Sequence, residues 1–222
     1  MMAALACMAA APVSAETANY ESLLDGAILQ SPANVAAAYW HRFARCDKRA
    51  SEREQLQCEA IARSAAGSAS RRFIVESRDA LHAGEFDAKK KSIILAVHGC
   101  VACARPIAVD GGSFMVSGGP VRKVKSAKVV ARGTVIGPLL GTLTIPVADG
   151  EAAKAWKETV WPRLVAELVV ETRPEKPLWR VGKRTGAEVK IVGWRVYDPC
   201  TGELITSSPP ALDDKPDPKR CN

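Results

Sequence analysis

The sequence predicts an α+β fold: an N-terminal helical hairpin packed on a mostly antiparallel β-sheet or partial barrel with one inserted helix. Three observations predict it. Helix-start signals precede helical spacings in the first third, β-branched runs punctuated by glycine fill the middle, and apolar–polar alternation returns near the C-terminus. The expected organisation is a signal peptide over 1–15, a helical hairpin segment over 16–66, a β-rich domain over 71–208 and a Pro/charged tail over 209–222. Hairpin and β-rich domain are expected to form one unit.

The leader is apolar, and Val13-Ser14-Ala15 fits the small-x-small rule for signal-peptide cleavage. It lacks the basic start of a secretory signal, and the doubled Met1-Met2 suggests a start further upstream. Ala4-Leu5-Ala6-Cys7 also loosely resembles the box that precedes a lipidated cysteine. Removing the leader leaves about 207 of the 222 residues, enough for a substantial core.

Ser31-Pro32 starts the first expected helix, because Ser can cap it and Pro at the first helical position gives up no hydrogen bond. Val35, Tyr39, Arg42 and Phe43 follow at helical spacing. Ser51-Glu52-Arg53-Glu54 has capping-box form and opens a second helix through Leu56, Ala60 and Ile61. The short turn Asp47-Lys48-Arg49-Ala50 between them implies an antiparallel pair.

From Arg71 the period changes to that of strands. Phe73-Ile74-Val75, Ile93 to Val97 and Phe114-Met115-Val116 are β-type runs, and Val121 to Val147 is a long β-rich stretch broken at Gly133, Gly137-Pro138 and Gly141. Asp149-Gly150-Glu151 begins the inserted helix, which Pro162 closes. Leu164, Ala166, Leu168 and Val170 then alternate with Glu167 and Glu171, predicting a half-buried strand with the glutamates on a wet face. A last hairpin runs from Val189 to Tyr197, turns over 198–203 and returns through Leu204-Ile205. The tail from Ser207, rich in Pro, Asp and Lys, is expected to be disordered.

Six of the seven cysteines lie beyond the leader, an even count that suits an oxidising compartment. Folding the helical hairpin brings Cys46 to Cys58, and closing such a loop stabilises by roughly 3 kcal/mol in the chain-entropy model. Cys200 and Cys221 are the pair that would pin the tail to the last hairpin, with an intermolecular bond through Cys221 as the rival. Cys100-Val101-Ala102-Cys103 is either a structural clasp, giving about 2 kcal/mol, or a redox pair, and either cysteine could instead bond a remote partner.

A CxxC at a strand end is how thioredoxin-like oxidoreductases begin. Here Ala104-Arg105-Pro106 and glycine-rich β-type sequence follow, where that fold needs a long helix. Ala104 also stands where a c-type haem attachment site needs His. His98 beside Cys100 raises a Cys–His nucleophile, provided the strand persists through Gly99. Zinc on Cys100, Cys103 and His98 lacks a second ligand pair, so no metal and no cofactor is expected. Motifs for serine hydrolases, zinc proteases, phosphate loops and calcium loops are absent from the sequence.

The net charge is +7 and the pI about 9.1. Lys89-Lys90-Lys91 and Arg122-Lys123-Lys125-Lys128 form one cationic patch if their strands are neighbours; solvated edge charges that discourage aggregation are the plainer alternative. The longest uncharged stretch after the leader, Gly133 to Ala148, is too short and too rich in Pro for a spanning helix.

Together these features point to an exported, disulfide-stabilised, non-catalytic binding or accessory protein of a bacterial-type cell envelope, periplasmic or secreted. It would bind a protein or an anionic surface ligand, with peripheral membrane contact but no nucleic acid. The alternatives are a thiol–disulfide oxidoreductase using Cys100 and Cys103, and a lipid- or small-molecule-binding barrel built on Val121 to Val147.

Overall fold

The period-2 runs of the sequence become thirteen strands in a computed structural model, which describes residues 19–35, 46, 51–67, 72–109, 112–125, 129–172, 178–181 and 184–221. In chain order they are β1 (Ile28–Leu29), helix α1 (Glu52–Gly67), β2 (Arg72–Glu76), β3 (Leu81–Asp87), β4 (Ser92–His98), β5 (Cys100–Val109), β6 (Gly112–Ser117), β7 (Arg122–Lys123), β8 (Val135–Ile136) and β9 (Leu139–Pro146). Helix α2 (Gly150–Thr159), β10 (Val165–Thr172), β11 (Leu178–Val181), β12 (Arg184–Tyr197) and β13 (Leu204–Ser208) complete the chain.

Strand outweighs helix by 44% to 22%, and the sheets are mixed, so the fold is mostly β rather than α+β. The expected N-terminal helical hairpin is not evident. Ser31 caps a helical turn at 32–35 by accepting from the Asn34 N–H, and Ser51 accepts likewise from Glu54. The intervening Tyr39, Arg42 and Phe43 lie outside the described residues. A physical reason for the weak helical layer shows in α1: Leu56 and Ile61, which continue the expected helix, are 58% and 65% exposed. A helix without a buried apolar stripe gains little from tertiary packing.

The core lies between two sheets instead. An eight-stranded sheet has the order β1-β2-β10-β12-β6-β5, with β11 and β13 also paired to β12; β3-β4-β9 form a second sheet. β1 runs parallel to β2 and β6 parallel to β12, while the other pairs are antiparallel. One face of the large sheet, with Phe73 and Val75, Leu168 and Val170, and Trp194 and Val196, packs with Leu95 and Val97 of β4 and Leu143 and Ile145 of β9. Gly141 allows this close approach, since an added Cβ would stand 2.7 Å from Trp194 Cζ2. Asp149 caps α2 by accepting from Ala152 N–H, and Trp156 and Val160 pack that helix against the same core.

β10 is buried on both sides, which corrects the half-wet strand read from alternation. The face carrying Glu167 is covered by Tyr20 and by the C-terminal segment. That segment is ordered, contrary to the expectation of a disordered tail. Pro210 O accepts from Tyr20 N–H, Gly202 O from Asp214 N–H and Pro199 O from Asp217 N–H, while Asp213 accepts from Leu204 N–H. No helix among the described residues is long and apolar enough to cross a membrane.

Candidate functional site

The six cysteines beyond the leader are joined in disulfide bonds. The three bonds are Cys46–Cys58, Cys100–Cys103 and Cys200–Cys221, with Cα separations of 5.4, 5.8 and 4.7 Å. These are the pairs the spacing suggested. The first ties α1 to the buried Cys46, and the last ties the C-terminal segment to the β12–β13 turn.

Cys100 and Cys103 open a strand rather than precede a helix, so no helix N-terminus is present to lower a thiol pKa. Both are buried, walled by Met115, Val121 and Val135. The backbone is also fixed: Cys103 and Ala104 N–H both donate to Asp79 Oδ2 at 2.8 Å, and Ser77 Oγ donates to the Cys100 and Val101 carbonyls. Thiol–disulfide exchange needs access to a sulfur, and both cysteines are buried here.

His98 does not line up with Cys100, since the chain bends at Gly99 between the strands. It meets His82 instead, edge to face, with ring centroids 5.1 Å apart. Burial, helped by His82 and Arg122, pushes His98 down to about 4; burial also lowers His82, against the pull of Asp79. His98 Nδ1 and His82 Nε2 are buried without a hydrogen-bond partner. Among the described residues, no group of three or more His, Cys, Asp and Glu side chains is arranged to hold a metal ion.

The two basic groups separate. Lys89, Lys90 and Lys91 form the exposed β3–β4 turn, where Asp87 Oδ1 accepts from Lys89 and Lys90 N–H. Arg122, Lys123 and Lys125 stand exposed on the β7–β8 hairpin with Arg132; Lys128 lies outside the described residues. The turn adjoins the Ser92 end of β4 and the hairpin adjoins its His98 end, about 20 Å apart by strand rise. They make two patches, not one. The described cations of both have no ion-pair partner.

Sequence reasoning missed a polar network on the outer face of the large sheet. Glu76, Glu167 and Arg195 form one cross-strand row over β2, β10 and β12. Arg195 Nε and Nη2 donate to the two Glu167 oxygens at 3.0 and 3.2 Å, and Nη2 also reaches Asp214 at 2.9 Å. Tyr20 OH donates to Glu167, Tyr197 OH to Glu76, and Arg220 reaches both Glu76 oxygens at 2.9 and 2.8 Å. Burial raises the Tyr20 and Tyr197 hydroxyls, with the neighbouring glutamates adding to the shift. Burial would also raise Glu76, but hydrogen bonds from Arg220 and Tyr197 outweigh it and hold that carboxyl below its usual range. The only sequence signal was a charged residue at the same phase of two apolar strands. It became legible once Glu167 and Arg195 were known to be opposite each other.

The network braces the fold and is closed by the C-terminal segment. Val121 to Val147, the stretch expected to build a barrel, divides between the β7–β8 hairpin and β9, the edge strand of the three-stranded sheet. The exposed cations of the β3–β4 turn and of the β7–β8 hairpin are candidate binding surfaces, and the hairpin carries the larger described group. No protein-family model, curated protein or solved structure matches the chain.

Proposed function

We propose that this is an exported, disulfide-braced, non-catalytic binding protein whose β7–β8 hairpin engages an acidic partner. One observation carries the reading. Between Asp110 and Asp149 the chain has no carboxylate side chain, yet it holds Arg122, Lys123, Lys125, Lys128 and Arg132. The four described ones are exposed and unpaired on one hairpin. A cation near an anionic surface contributes about 1 kcal/mol, so this cluster supports salt-sensitive capture on the order of millimolar to sub-millimolar without a pocket. The three disulfides suit an oxidising compartment, and the buried CxxC removes the main reason to expect exchange chemistry.

The test is binding of the full chain to a polyglutamate peptide across about 50 to about 300 mM salt. Affinity should fall steeply with salt and be lost in the triple variant Arg122→Glu, Lys123→Glu, Lys125→Glu. A second triple, Arg53→Glu, Lys154→Glu, Lys215→Glu, changes net charge equally at exposed positions elsewhere and should retain most binding. Equal loss in both variants would show overall charge at work and refute the hairpin's role.

A further inference from the structure

We infer that β9 is a strand-addition site, which takes an extended acidic segment of a partner polypeptide as the fourth strand of the β3-β4-β9 sheet. The inference rests on the acidic-partner reading above and narrows the partner to a polypeptide. β9 pairs with β4 on one side, and among the described residues nothing pairs with the other. Its backbone there is legible. Val147 N–H donates to the Lys91 carbonyl at 3.0 Å, making Lys91 and Val147 a hydrogen-bonded pair. Antiparallel alternation then turns the backbone groups of Gly141, Leu143 and Ile145 toward β4 and those of Thr142 and Thr144 outward. Thr142 and Thr144 are exposed, while Leu143 and Ile145 are half-buried against the core.

Open edges are normally blunted by charge, proline, bulges or brevity. Three other edges of this fold follow that rule. β1 has two residues, β3 carries a bulge between Ala83 and Phe86 with Glu85 and Asp87 beside it, and β5 has two register irregularities with Arg105 and Pro106. β9 is eight residues long and wholly uncharged, inside an uncharged run from Gly133 to Ala148. Its devices stand only at the ends, Pro146 at one and the register shift by His98 at the other. Thr142 to Ile145 offers a clean ladder of β-favouring residues.

Charge selects the occupant. The Lys89–Lys91 turn borders the Pro146 end of β9, and the β7–β8 hairpin borders its Leu139 end. A second copy adding antiparallel to its own β9 would set each lysine turn against the other copy's cationic hairpin. On a chain of net charge +7 that pairing is repelled at both ends. An extended segment with acidic flanks meets cations at both ends and supplies the missing ladder.

The test uses a synthetic peptide with an alternating Val-Thr core between glutamate flanks, and the same peptide N-methylated at alternate core amides. The N-methylated form keeps charge and side chains but loses one row of backbone donors. The unmodified peptide should bind at least about tenfold tighter. It should also slow hydrogen exchange at the Thr142 and Thr144 amides of the natural chain. Thr144→Pro removes an outward donor without touching the β4 ladder, so it should weaken peptide binding while leaving polyglutamate binding intact. Equal affinity for both peptides, or no protection at Thr142 and Thr144, would overturn strand addition while sparing the cationic hairpin. Protection in the absence of peptide, with a dimer in sedimentation, would overturn the choice of partner. Loss of polyglutamate binding along with everything else would overturn the underlying reading instead.

Discussion

Replacing Arg195 by Met isolates what the covered network contributes. The side chain is 11% exposed and Glu167 is 8% exposed, so the pair is shielded from water. Arg195 makes two bonds to Glu167 and lies 5.3 Å from the Tyr20 ring centroid and 4.5 Å from that of Tyr197. Met fills much of the same volume, so the main loss is electrostatic. Glu167 would keep the Tyr20 hydroxyl as a donor but lose its counter-charge. Breaking a buried pair by removing one partner costs about 3–5 kcal/mol, because the remaining charge is uncompensated. The Asp214 contact adds little, since that carboxylate is 41% exposed and screened by solvent. For a chain of this size each kcal/mol is about 2–4 °C, so the melting temperature should fall by about 6–20 °C. Urea unfolding of the oxidised protein measures the loss directly. Adding Glu167→Gln to Arg195→Met should recover part of it, because the stranded charge is gone. A single variant within about 1 kcal/mol of the parent would refute a shielded, paired Glu167.

Three further outcomes follow from the same geometry. Burial holds His98 near 4 against an ordinary value of 6.5, so the unfolded chain binds the extra proton first; stability should fall by roughly 3 kcal/mol as pH drops from 6.5 to about 4, and His98→Leu should flatten that slope in urea titrations. Glu76 lies below its ordinary 4.5, so its contribution is present above that pH and is lost as pH falls through the folded value; Arg220→Gln should weaken this acid dependence, by a modest amount because both groups are about one-third exposed. Cys100 and Cys103 should resist alkylation under mild dithiol until the fold opens, with Cys200–Cys221 reduced first because Cys221 is exposed; rapid labelling of Cys100 in the folded chain would overturn the clasp.

Local signals are legible wherever a residue's partner lies a few positions away. Asp149 capping α2, Ser31 and Ser51 accepting from N–H groups three residues on, and the 198–203 turn between β12 and β13 are all of this kind. Phe73 to Val75 and Ile93 to Val97 showed themselves as strands through β-branched residues. The failures came from long-range pairing. Nothing near Glu167 announces Arg195 opposite or Tyr20 above it, so apolar–polar alternation made a covered carboxylate look wet. The Pro- and Asp-rich segment after Ser208 looked disordered by composition, yet its hydrogen bonds go to Tyr20, Pro199, Gly202 and Glu76. Caps and spacing predict the helical hairpin, but they report a helix start and not whether a stripe will be buried. Of the candidate site, the cations were plain in the sequence; the open edge beside them required knowing that β9 has one neighbour.

The most direct measurement is disulfide mapping by mass spectrometry on the natively expressed chain, alkylated before any reduction. An exported, sulfur-braced fold predicts a product beginning at Glu16 with Cys46 bonded to Cys58, Cys100 to Cys103 and Cys200 to Cys221. A chain that retains Met1 to Ala15 and carries alkylated thiols at all six of those positions would contradict it.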